Sequence, residues 1–160
     1  MAKPVGAGDK APDFSLPDQE GRMVTLKHVT GSPVVLYFYP KDNTPGCTKE
    51  ACDFRDAETA IKKAGAAVLG VSLDDAASHQ KFIAKYELPF PLLCDEGAKM
   101  SKAYGVFKEK NMYGRKYWGI ERSTFVIDGT GMIKAAFRKV KVDGHAKEVL
   151  AALKLVTRDK

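Results

Sequence analysis

The chain has 160 residues, 44% hydrophobic and 29% charged, which is typical of a soluble globular protein and predicts one domain over residues 1–160. No run approaches the roughly 18–20 apolar residues of a membrane span, and the N-terminus has no apolar stretch resembling a signal peptide, so we expect a cytoplasmic protein without membrane contacts. The net charge of +6 comes from dispersed lysines without a zinc-finger spacing or an RNA-binding motif, which argues against nucleic-acid binding.

The first half of the chain alternates strand-like and helix-like segments. A small hairpin, FSL and MVTL around PDQEGR, comes first, and the continuous apolar run PVVLYFY is typical of a fully buried strand. After the turn PKDNTPG, apolar residues recur at steps of three or four until Gly65, which predicts a helix. The predicted elements are strand 33–39, this helix with apolar positions 51, 54, 57, 61 and 64, strand 66–74 and helix 78–86.

The second half predicts an extended stretch at Pro89 and Pro91 and a short helix at 98–104. STFVID and MIKAAFRKV form two strands joined by GTG, an antiparallel hairpin, and 144–155 is a closing amphipathic helix. Strands separated by helices imply right-handed crossovers and a parallel core. The expected fold class is therefore α/β, a central mixed sheet flanked by helices with an N-terminal β-hairpin.

Two cysteines, Cys47 and Cys52, lie five positions apart at the start of the first long helix, where open α/β sheets place their sites. On an intact helix their α-carbons are roughly 8–9 Å apart. A disulfide needs about 7 Å or less, so the first turns must unwind if the two thiols join.

The two thiols differ in predicted reactivity. Cys47 follows TPG and opens the helix, where unpaired amide N–H groups and the helix dipole stabilise an anion. The thiolate is the nucleophilic form of cysteine, so Cys47 is predicted to attack, whereas Cys52 lies further along the helix without this advantage.

Spacing alone leaves other interpretations of the pair open. Both cysteines could be buried and inert, as free cysteine often is. A zinc site usually has gaps of two to four residues, and a thioredoxin-type C-x-x-C places its cysteines three apart. Three cysteines in a chain without a secretory signal make a stabilising disulfide framework improbable. The remaining zinc ligand candidates are dispersed along the chain: His28, His79, Cys94 and His145.

The motifs together resemble the peroxiredoxins. PKDNTPGC, with Pro40, Thr44 and Cys47, is similar to their active-site pattern, and ERSTFVID places their active-site arginine at Arg122. CTKEAC resembles the branch of the bacterioferritin comigratory protein, or peroxiredoxin Q, in which the resolving cysteine often lies five residues downstream. APDFSLPDQEG and YGV also fit, so the resemblance covers nearly the whole chain.

The resemblance implies a thioredoxin-like fold and a thiol-dependent peroxidase that reduces hydrogen peroxide and organic hydroperoxides. It implies that Cys47 attacks the peroxide and becomes a sulfenic acid, and that Cys52 resolves it as an intramolecular disulfide. Arg122 would stabilise the developing negative charge, Thr44 would donate a hydrogen bond to the sulfur or peroxide, and Pro40 would shield the sulfur. A thioredoxin-type dithiol reductant, no cofactor, no metal and a monomer are expected.

Several nearby residues keep two interpretations. Arg122 could instead form a surface ion pair with Glu121 or Asp128. Glu50 either orients the arginine or complements the helix N-terminus. Core or hairpin packing is expected for Tyr113, Tyr117 and Trp118, and contact with a bulky peroxide or a reductant is the alternative. Tyr39 is expected to pack in the sheet. Cys94 is expected to have no redox role.

Two other functions compete with the peroxidase. A general disulfide oxidoreductase would ordinarily carry C-x-x-C, which is absent. A redox-sensing or chaperone-like interaction protein would be oxidised by peroxide without consuming it catalytically.

Overall fold

The computed structural model describes residues 5–158 and places a five-stranded mixed sheet at the centre of the protein. The strands are β1 Ser15–Pro17, β2 Met23–Thr25, β3 Val34–Phe38, β4 Ala67–Ser72, β5 Leu92–Cys94, β6 Phe107–Met112, β7 Arg115–Ile120, β8 Ser123–Ile127 and β9 Ile133–Arg138. The order of the central sheet is β5-β4-β3-β8-β9, and β1-β2 and β6-β7 form separate two-stranded sheets. The helices are α1 Leu26–Val29, α2 Pro45–Lys63, α3 Ala76–Tyr86, α4 Lys99–Ala103 and α5 His145–Arg158.

Strand β3 lies at the middle of the central sheet. All five of its residues are buried, and it pairs in parallel with β4, as the predicted crossover requires, and antiparallel with β8. Its side chains alternate between two apolar clusters. Leu36 and Phe38 face the cluster that includes α1 and α4, whereas Val35 and Tyr37 face α2, α3 and α5. The predicted mixed sheet flanked by helices is confirmed.

The hairpin β6-β7 was not predicted. Its two-residue turn has positive φ at both Tyr113 (54°) and Gly114 (80°), the geometry that closes a tight hairpin. The expected core or hairpin packing is confirmed for Trp118, which is 58% exposed and stacks on Phe107, but it is wrong for Tyr113, which is fully exposed. No helix within residues 5–158 is long and apolar enough to cross a membrane.

Candidate active site

Cys47 lies in the first turn of α2, at the carboxyl end of β3. Thr44 is the N-cap in an extended conformation and Pro45 is the first helical residue, where its missing N–H costs nothing. Only 1% of Cys47 is exposed. The sulfur is therefore held out of bulk water at the amino end of a 19-residue helix, where the helix dipole attracts negative charge.

Arg122 reaches this sulfur because of the strand register. Phe38 at the end of β3 pairs with Ser123, so Arg122 immediately before β8 lies beside the start of α2. Its Nη2 donates to Cys47 Sγ at 3.4 Å and its Nη1 donates to Glu50 Oε1 at 2.7 Å. The planar guanidinium thus bridges a thiol and a carboxylate.

Other features of the chain keep Arg122 available for its contacts with Cys47 and Glu50. A Cβ atom on Gly46 would lie 3.1 Å from Arg122 Nη2, so a glycine here lets the guanidinium approach. The alternative surface pair is not formed, because Asp128 pairs with Lys134 at 3.7 Å and no ion pair joins Arg122 to Glu121 among the described residues. Of the two predicted roles for Glu50, its contact with Arg122 favours orientation of the arginine.

Glu50 is a buried carboxyl group with an incomplete set of partners. It is 1% exposed, and its Oε2 has no hydrogen-bond partner, as is also true of the buried Tyr37 hydroxyl. Burial raises the pKa of Glu50 to about 7 although Arg122 favours its charged form. Burial, then the negative charges of Glu50 and Cys47, also raises the pKa of Tyr37, which keeps that hydroxyl neutral.

Replacing Glu50 with glutamine is expected to flatten part of the pH dependence of stability. The folded pKa is about 7 against 4.5 for the free side chain, so between these values the folded protein holds a proton that the unfolded chain has lost. The unfolding free energy of the wild type therefore falls as pH rises through this window, by up to about 3 kcal/mol. Denaturant titrations across the window measure this slope.

The matched control is Glu58→Gln on the same helix. Glu58 is partly exposed and pairs with Lys62, so this variant should keep the wild-type slope. Parallel stability curves for Glu50→Gln and the wild type would show that Glu50 binds no extra proton in the folded state.

Thr44 and Pro40 lie in the loop that leads into α2, and both are half-buried. Thr44 Oγ1 donates to the Lys41 carbonyl oxygen at 2.9 Å, and no hydrogen bond joins it to Cys47 among the described residues. Because the single hydroxyl proton of Thr44 is already used, the expected donation to the sulfur is not formed, but the Thr44 oxygen can still accept a hydrogen bond.

Cys52 lies on the same unbroken helix as Cys47, and both are free thiols. Cys52 is half-buried. Cys94 is 4% exposed in β5, with its Sγ 3.7 Å from the Asp18 carbonyl oxygen. Burial, followed by nearby carboxylates such as Glu96, raises the pKa of Cys94 to about 11, which disfavours the reactive thiolate and supports a spectator role.

Sequence reasoning assigned no role at the site to several residues of this region. Lys110 of β6 is half-buried, and burial followed by the positive charge of Arg122 lowers its pKa, so the β6-β7 hairpin borders the site. His79 is fully buried, and His145 at the start of α5 is 1% exposed. Burial lowers the pKa of His145, and the charge of Arg122 adds to this. Neither the burial of the two histidines nor the position of Lys110 beside Arg122 leaves a local signal in the sequence.

Comparisons with known proteins place this geometry in context. The AhpC/TSA family model matches residues 7–136. Peroxiredoxin Bcp of Bacillus subtilis is 49% identical over 150 residues, covering 94% of this chain and 96% of that protein. A solved structure of Xanthomonas campestris peroxiredoxin Q has a TM-score of 0.86 at 49% identity, covering 90% of this chain and 91% of that one.

A further solved structure is similar at 48% identity, with a TM-score of 0.86 and coverage of 90% of this chain and 92% of that chain. It is the bacterioferritin comigratory protein of Xanthomonas campestris, and the structural work on it addresses its alkyl peroxide reduction activity.

Proposed function

This chain belongs to the AhpC/TSA family as a peroxiredoxin of the Bcp and peroxiredoxin Q type, and we propose that Cys47 is its peroxide-reacting thiol and Cys52 its resolving thiol. It has the thioredoxin-like fold of its structural neighbours and is a thiol peroxidase, an oxidoreductase. The observation that carries the proposal is the 3.4 Å contact from Arg122 Nη2 to Cys47 Sγ at the amino end of α2.

In the first step the Cys47 thiolate attacks one oxygen of a hydroperoxide. A sulfur–oxygen bond forms, the O–O bond breaks, and the other oxygen leaves with the electron pair and takes a proton to give water or an alcohol. The Arg122 guanidinium stabilises the thiolate before attack and the negative charge that develops on the oxygens. The Thr44 oxygen accepts the hydroperoxide O–H, since its own proton is held by Lys41.

Pro40 supports this step by keeping water away from the sulfur. Proline has no N–H, so its backbone nitrogen cannot hydrogen-bond water beside the sulfur. Together with the near-complete burial of Cys47, this limits the hydration of the sulfur and strengthens its attraction to Arg122.

In the second step Cys52 attacks the Cys47 sulfenic acid. The disulfide forms, the sulfur–oxygen bond breaks, and hydroxide leaves as water after taking the Cys52 proton. Because α2 is continuous through both cysteines, its first turns must unwind, and Glu50 lies within the segment that moves. The helix beyond it stays anchored by Phe54 and Ile61, whose side chains are fully buried.

Regeneration requires a dithiol reductant of the thioredoxin type. Its first thiolate forms a mixed disulfide with one of the two cysteines, and its second thiol releases both proteins. The similarity to a protein studied for alkyl peroxide reduction supports organic hydroperoxides, beside hydrogen peroxide, as substrates.

Coupled turnover tests this function. Fully reduced protein with thioredoxin, thioredoxin reductase and NADPH is expected to consume hydrogen peroxide continuously, in proportion to the thioredoxin added. NADPH absorbance measures the rate. Consumption of a single equivalent, with thioredoxin failing to restore it, would favour a redox sensor over a peroxidase.

A further inference from the structure

The loop between β3 and α2 is tied to the rest of the protein by a buried polar cluster around Asp42. The Asp42 carboxylate accepts hydrogen bonds from Tyr39 Oη at 2.5 Å, Ser78 Oγ at 2.8 Å and His79 Nδ1 at 2.7 Å. The side chains of His79 and Asp42 are 0% and 3% exposed. Three donors converging on one carboxylate make Asp42 the centre of the cluster.

The partners of His79 fix its charge. Its Nε2 lies 2.9 Å from the Leu93 carbonyl oxygen, which can only accept, and its Nδ1 faces a carboxylate. Both ring nitrogens therefore carry protons, and the ring is an imidazolium paired with Asp42. Burial opposes this charge, but Asp42, the Leu93 carbonyl and the charge of Asp74 together raise the pKa of His79.

The same atoms are arranged as an ion pair and not as a set of free metal ligands. Ligand atoms of Asp42, Asp74 and His79 lie within 4.8 Å of one another, close enough to hold a cation. However, the imidazolium has no free lone pair, and Asp74 Oδ2 already accepts from Ser72 Oγ at 2.6 Å. The cluster is thus complete as an ion pair with its own hydrogen bonds.

The cluster anchors the loop to elements other than α2. The Asp42 backbone N–H donates to Asp74 Oδ2 at 2.8 Å, so backbone and side chain are both held. Asp74 lies between β4 and α3, His79 lies on α3, and Leu93 lies on β5. When the first turns of α2 unwind, these bonds do not have to break.

We infer that Asp42 and His79 are a positioning pair, which holds the loop of residues 40–44 in its peroxide-binding arrangement while α2 unwinds and refolds. The inference rests on the proposed function, because that function assigns Thr44 of this loop to the peroxide and Pro40 to the shielding of the sulfur. Neither Asp42 nor His79 touches the sulfur, so both act through the loop. Correct placement of such groups matters, since a displacement of about 1 Å can cost about a hundredfold in rate.

The test compares two reactions of the same thiol in Asp42→Asn. Asparagine replaces one acceptor oxygen with an NH₂ group, which faces either Tyr39 or the pair of Ser78 and His79, so it breaks part of the network that holds the loop. The second-order rate of Cys47 oxidation by hydrogen peroxide should fall at least about tenfold. Alkylation of Cys47 by iodoacetamide, which needs no bound peroxide, should change less than about threefold. Quenched samples analysed by mass spectrometry give both rates. The ratio of the oxidation rate to the alkylation rate cancels any general change in the reactivity of the Cys47 thiol.

The matched control is Asp95→Asn. Asp95 is 1% exposed and also accepts three hydrogen bonds, from Met100 N, Ser101 N and Ser101 Oγ, but it lies between β5 and α4. It should lose stability without a change in the ratio of the two rates. Tyr39→Phe removes a single donor to Asp42 and should give an intermediate ratio, which keeps the test informative if Asp42→Asn fails to fold.

The outcomes distinguish failure of the positioning role from failure of the proposed function. An unchanged ratio in Asp42→Asn, or in Tyr39→Phe if only that variant folds, with normal peroxide oxidation of the wild type, overturns the positioning role alone. A wild type whose Cys47 is not oxidised by peroxide contradicts the proposed function itself.

Discussion

Replacing Cys47 with serine is expected to abolish peroxide reduction, with a loss of at least about a thousandfold, as is common when a catalytic nucleophile is removed. A serine hydroxyl is not ionised at neutral pH, so the Arg122 contact at 3.4 Å has no thiolate to stabilise. The two side chains are similar in size, and the fold should survive the change. The thioredoxin-coupled assay measures the loss, and circular dichroism confirms folding.

The control for this variant is Cys94→Ser, the same exchange at another buried thiol. The Cys94 sulfur faces the Asp18 carbonyl oxygen, to which a serine hydroxyl can donate. Peroxidase activity should remain within about twofold of the wild type, since surroundings that favour the neutral thiol leave Cys94 unreactive. Full activity in Cys47→Ser would refute the assignment of the nucleophile.

Replacing Cys52 with serine is expected to separate oxidation from turnover. Cys47 and its Arg122 contact are unchanged, so the first equivalent of peroxide should react at nearly the wild-type rate. The sulfenic acid then has no neighbouring thiol, and thioredoxin-dependent turnover should stop after about one equivalent. Trapping with dimedone, which reacts with sulfenic acids, should label Cys47 stoichiometrically in this variant.

The wild type is the control for the trapping experiment. Once its disulfide has formed, dimedone should label Cys47 only weakly. Turnover of Cys52→Ser at the wild-type rate would rule out a resolving role for Cys52. A disulfide between Cys47 and Cys94 in this variant would transfer that role to Cys94.

The parts of the fold that sequence predicted well are those with strong local patterns. The apolar run 33–39 became β3 at Val34–Phe38, and the helical apolar repeat became α2, which starts at Pro45. The β6-β7 hairpin was missed because its strands carry charged and polar residues on exposed positions, so neither shows a buried face. Its Tyr-Gly turn is also a weaker signal than Asn-Gly.

At the site, too, residues in local motifs could be predicted, whereas contacts that depend on long-range packing could not. Cys47 and Arg122 stood out because each lies in a short motif, but their contact depends on the antiparallel register of β3 with β8. The pair of Asp42 with His79 spans 37 positions. It depends on how α3 packs against the loop, for which one sequence offers no pattern. The Thr44 bond to Lys41 likewise follows from the turn conformation and not from residue type alone.

The most direct test of the account is to map the cysteines after one equivalent of hydrogen peroxide has reacted with the fully reduced protein. Differential alkylation and peptide mass spectrometry identify each thiol, and circular dichroism follows the helix. The account predicts a disulfide between Cys47 and Cys52, a free Cys94, and a loss of helical signal that dithiothreitol reverses. An oxidised protein with Cys52 still free, or with Cys47 joined to Cys94, would contradict it.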